Sequence, residues 1–122
     1  MKVRVRGKHP HVYRESETAT IARYSNLLPP VFENGVWKIL GRKDKVVRIL
    51  FRAAALTYLK GRRDQYYREM QLGYFDYPSM RLVKVGRDWE VREPQLDMPL
   101  FMGTWTMCEW YLLGREDEWR KL

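Results

Sequence analysis

Residues 44–71, DKVVRILFRAAALTYLKGRRDQYYREMQ, constrain the fold more than any other part of this chain. Read with helical periodicity, Val47, Leu50, Phe51, Ala54 and Tyr58 fall on one face, and Val46, Ile49, Ala53, Leu56 and Leu59 widen it. Only Lys45, Arg48, Arg52 and Lys60 share a polar arc, roughly 120° wide at about 100° per residue. The pattern predicts a helix over residues 45–60, capped by Asp44, that something else must cover. Each fully buried Leu, Ile or Phe contributes about 1.5–3 kcal/mol. Such a helix is expected at the centre of the fold or at a seam with a partner. Gly61 is expected to break or bend it, with residues 62–72 forming a second helix closed by Gly73.

Turn chemistry organises the rest. Asn34-Gly35, between VFE and VWKIL, supplies the positive φ angles of a tight hairpin turn. Residues 80–85 and 89–92, joined through Gly86-Arg87-Asp88, read as a second hairpin. Residues 2–6 (KVRVR) alternate as a strand with one basic face. Residues 16–24 read as a short helix, stopped by the prolines of residues 26–30. In residues 100–113, Phe101, Trp105, Cys108 and Leu112 align on a helical face. Thr104 and Thr106 alternate with Trp105 and Met107, as a strand would require, so both assignments stand. Gly114 is expected to end that element. The tail REDEWRKL reads as a short polar helix with a Glu116–Arg120 pair, its acids a solvated charge run. No internal repeat is expected. The expected fold class is α+β: a small single domain spanning residues 1–122, with one long buried helix and two β-hairpins.

Charge narrows the partners. Residues 1–72 hold 16 Lys/Arg against 6 Asp/Glu, and residues 73–122 hold 7 against 9. A basic front implies an anionic partner. Lys2, Arg4, Arg6 and Lys8 would project from one strand face at about 6.6–7 Å, near the phosphate repeat of a nucleic-acid strand. Arg62 and Arg63 interleave with Tyr66 and Tyr67, the mixture of cations and rings that grips single-stranded RNA. The same residues suit an acidic protein surface. Leu50, Phe51, Arg52 and Arg48, and the Trp105, Trp110, Tyr111 segment, are the expected protein-binding anchors, since Trp, Tyr and Arg dominate interface energetics.

Chemistry is sparse. His9 and His11 flank Pro10 with no further ligand near them in sequence. Cys108 stands alone in an apolar run, where a thiol behaves as a small hydrophobe. No nucleophile elbow, Walker loop or dinucleotide fingerprint occurs. No catalytic, metal or cofactor site is expected. The longest apolar run, residues 98–113, is shorter than the roughly 20 residues of a spanning helix, though membrane-surface contact is compatible with the charge. Residues 1–11, MKVRVRGKHPH, lack the apolar stretch of a secretory signal, so none is expected there.

VVRILFRAAALTYLKGRRDQYYRE resembles the opening of the LYR-motif family of small mitochondrial proteins. There a first helix carries Leu-Tyr-Arg, and Leu50-Phe51-Arg52 stands in that place. Residues 47–52 are similar to the LYR accessory subunit of respiratory complex I. The resemblance covers about a fifth of the chain. It implies a three-helix bundle, a mitochondrial location and binding to an acyl carrier protein. Taken together these readings predict a non-catalytic accessory subunit of a large assembly. The alternatives are an RNA-contacting protein of a ribonucleoprotein, such as an organelle ribosome, and a small viral DNA-binding protein.

Overall fold

A computed structural model describes residues 30–41, 45–72, 80–94 and 96–122. The expected strand of residues 2–6, the helix of residues 16–24, the His9/His11 turn and the caps Asp44 and Gly73 lie outside the described residues.

The chain runs β1 (Val31–Glu33), β2 (Val36–Leu40), β3 (Val46–Leu50), α1 (Arg52–Leu72), then β4 (Arg81–Val85), β5 (Asp88–Arg92), β6 (Phe101–Gly103), α2 (Trp105–Trp119). Two antiparallel sheets result, β1-β2-β3 and β4-β5-β6. This is the α+β class expected, and both hairpins form where turn chemistry placed them. Asn34 and Gly35 have φ of 53° and 80°, and Gly86 has φ of 63°.

The order of elements is itself a repeat: three strands and a helix, twice. The sequence carries it as well. YLKGRRDQ at residues 58–65 returns as YLLGREDE at residues 111–118. Each unit builds its own core from corresponding positions. In the first, Trp37, Ile39, Leu50, Ala55, Tyr58 and Leu59 are buried together. In the second, Val91, Cys108 and Tyr111 are buried, with Leu112, Trp89 and Phe101 against them. Cys108 occupies the place of Ala55, consistent with a thiol acting as a small apolar group. Burial also pushes its pKa up.

Three expectations are corrected, and one open assignment is decided. Residues 46–50 are strand β3, not the start of a helix: Trp37 pairs with Leu50, Lys38 with Ile49 and Ile39 with Arg48. An apolar run this short fits either period, and pairing with β2 decides it. Gly61 does not break α1, which runs unbroken through Leu72. Gly114 likewise lies inside α2. Residues 100–113 are strand and then helix. Thr104 makes the switch, its Oγ1 accepting from the Met107 backbone N–H at 3.2 Å as N-cap of α2. The three-helix bundle implied by the resemblance is not what these residues form: among those described there are two α-helices and two sheets.

Candidate interaction surface

The two units meet where α1 crosses α2, and that crossing consumes most of the interior charge. A Cβ on Gly61 would run into the Tyr111 carbonyl oxygen and lie 3.1 Å from the Arg115 backbone nitrogen. A Cβ on Gly114 would run into the Tyr58 carbonyl oxygen and lie 3.1 Å from the Arg62 nitrogen. Only glycine lets the two backbones come this close.

Polar side chains around the glycines repeat the same exchange. Tyr58 Oη donates to Asp117 Oδ2 at 2.7 Å, and Tyr111 Oη donates to Asp64 Oδ2 at 2.6 Å. Arg62 Nη1 donates to Tyr58 Oη at 2.9 Å, and Arg115 Nη1 to Tyr111 Oη at 3.1 Å. Arg62 Nε donates to Glu118 at 3.1 Å, and Arg115 Nε to Gln65 at 3.1 Å. Buried polar groups without partners cost free energy, so each unit satisfies groups of the other. Desolvation pushes the Tyr58 and Tyr111 hydroxyls well above the ordinary phenol range. It also raises the Glu118 carboxyl, against the pull of Arg62.

The exchange is not fully symmetric. Arg62 faces the carboxylate of Glu118, whereas Arg115 faces the neutral amide of Gln65 and keeps one buried nitrogen, Nη2, unbonded. Asp117 gains a further partner from β3: Arg48 Nε and Nη2 donate to its two oxygens at 2.9 and 3.2 Å. The bonds to Asp117 hold Arg48 protonated beyond its ordinary range.

These facts place the expected site residues. Arg62 is buried at 2% exposure and bonded within the fold, so it is not a surface cation for phosphate. Arg63 is half-buried beside Asp64 at 3.3 Å. Lys2, Arg4, Arg6 and Lys8 lie outside the described residues. Among the expected anchors, Leu50 and Tyr111 belong to the two cores. Tyr111 stacks on Phe101 with ring centroids 4.7 Å apart. Trp110 is half-buried against the first core. Arg52 holds its guanidinium 6.0 Å from the Phe32 ring centroid. Trp105 is exposed and meets Trp89 edge to face at 4.8 Å. Phe51, between β3 and α1, is 73% exposed. The structure therefore divides Leu50-Phe51-Arg52 between a strand end, a junction and a helix start.

The acids at residues 116–118 also need correction. Asp117 and Glu118 are buried, not solvated; only the Glu116–Arg120 pair is a surface contact, at 2.9 Å. From sequence, Tyr58 reads as a position on an apolar face and both glycines as helix breaks, and Asp64, Gln65 and Arg115 carry no expectation. The recurring Tyr-Leu-x-Gly-Arg-x-Asp was the signal that marks them.

The outer face of the first sheet is largely apolar and open to solvent. Val36, Lys38 and Leu40 alternate with the inward Trp37 and Ile39, and their cross-strand partners are Val31, Ile49 and Val46. The outer face of the first sheet is thus Val31, Val36, Leu40, Val46 and Ile49. The two charges it carries, Lys38 and Glu33, pair with each other. Val46 and Ile49 are 50% and 59% exposed. The outer face of the second sheet mixes Arg81, Val83, Val85, Asp88, Glu90, Arg92 and Met102, with Arg92 on Glu90 at 2.8 Å. Neither face is a basic platform. No described helix is long and apolar enough to cross a membrane. Comparison with family models, with curated proteins and with solved structures finds no match to this chain.

Proposed function

We propose that this chain is a non-catalytic accessory module of a larger assembly, joined to protein neighbours through its first unit. The observation that carries this reading is the open face of β1-β2-β3, where Val31, Val46 and Ile49 stand in solvent and Phe51 extends the patch. Contiguous exposed apolar surface is the mark of an interaction site. The ionisable groups at the helix crossing serve the fold, since each bonds across it. An RNA-contacting role has less support. Arg62 is buried, Arg63 sits beside an aspartate, and both sheet faces balance their charges.

Purification of the tagged chain from native extract, followed by sizing and mass spectrometry, tests the proposal. The expected result is a species well above 14.8 kDa with one or more proteins in fixed ratio. Recovery as a lone monomer, or with RNA as its partner, overturns it.

A further inference from the structure

Strand β3 is an edge with a register shift, Val47 lying between the pairs Ile39–Arg48 and Leu40–Val46. Among the described residues it pairs with β2 alone, so its other side presents a row of backbone donors and acceptors with no strand against it. The remaining edges differ. β1 and β6 are three residues long. β4 matches β3 in length but carries exposed Arg81 and Lys84. β3 reads VVRIL, and its one charge, Arg48, turns inward. An inward cation on an edge ordinarily discourages pairing. Here both donating nitrogens of Arg48 are already bonded to the buried Asp117, so the charge is neutralised within the fold. Beside the start of the strand lies a depression of about 370 Å³ bordered by Lys45, Val46, Val47 and Leu122.

We infer that the β3 edge receives an extended segment of a partner protein as a fourth strand, with alternating apolar side chains and a carboxylate near Lys45. The backbone row defines the shape: another extended backbone, about 4.8 Å away, bonds along the regular run Arg48–Leu50. The exposed Ile49 and Val46 define the apolar alternation, because cross-strand neighbours on one face pack together. Lys45 and the +8 net charge define the acidic character. A second copy fits less well. Antiparallel pairing of β3 with itself joins two chains of +8. This inference deepens the accessory-module reading and rests on it.

A displayed library of ten-residue peptides, selected against the full chain, tests the site. The expected binders alternate apolar residues, carry Asp or Glu, and slow amide exchange in β3. Ile49→Lys places an edge-guarding lysine on an exposed position and weakens those binders at least tenfold; Ile49→Val does not. A library that yields no binder, binders indifferent to Ile49→Lys, or a wild-type dimer that Ile49→Lys dissociates each overturns the inference. If the native assembly is recovered equally with wild type and Ile49→Lys, the edge site is lost while the accessory-module reading stands.

Discussion

Gly61 and Gly114 sit against each other's helix, each touching the carbonyl of the tyrosine three residues before the other. Intrinsic propensity favours alanine over glycine in a helix by about 1 kcal/mol. Steric conflict with a backbone carbonyl opposes it, and overpacking costs about 1–3 kcal/mol or more. The clash wins, because a carbonyl in a packed helix cannot swing aside as a side-chain tip can. Gly61→Ala and Gly114→Ala are each expected to destabilise the protein by more than 1 kcal/mol in urea unfolding. A gain in stability from either one would contradict the crossing.

Arg62 and Arg115 occupy equivalent places with unequal partners. Arg62→Met leaves the Glu118 carboxylate buried without its cation, at a cost of about 3–5 kcal/mol. Adding Glu118→Leu removes the orphaned charge, so the double variant is expected to be more stable than Arg62→Met alone. Arg115→Met leaves only a neutral amide and a hydroxyl behind and is expected to cost less than Arg62→Met. Equal losses at the two arginines would argue against the asymmetry.

The buried tyrosines give the fold an alkaline limit. Both hydroxyls are raised above their ordinary value of 10.0 by desolvation. The unfolded chain therefore loses those protons first. Their contribution is fully present below pH 10 and is lost as pH climbs from there toward the folded values. In that window each group removes about 1.4 kcal/mol of stability per pH unit. Tyr58→Phe is expected to lower stability at neutral pH, by removing the bond to Asp117, and to flatten the decline above pH 10 by one group's share. Denaturant melts between pH 8 and 11.5 read both effects.

Short-range signals carried part of this fold into the sequence. Asn34-Gly35 and Gly86 marked both hairpins because positive φ is a local demand that few residues meet. Residues 46–50 were misleading because apolar residues spaced to suit a helix run directly into a real one, and only the partner strand 37–40 decides between them. Glycine within a helix reads as a break because the backbone it must touch, Tyr111 or Tyr58, is far away in sequence. Asp117 and Glu118 read as solvated for the same reason: their partners Tyr58, Arg48 and Arg62 lie on other elements. The repeat is legible in residues 58–65 and 111–118, identical at five of eight positions. A glycine read as a helix break hides the helix face on which the matching residues align. Of the expected anchors, Phe51 and Trp105 are exposed, whereas Leu50 and Tyr111 are spent on the cores.

Amine cross-linking of the native assembly, read by mass spectrometry, tests the central claim most directly, since Lys38 stands on the apolar face and Lys45 beside the start of β3. The account predicts intermolecular links from these two lysines to amines flanking an acidic, extended segment of one protein neighbour. Links confined to this chain, from a particle of 14.8 kDa, would contradict it.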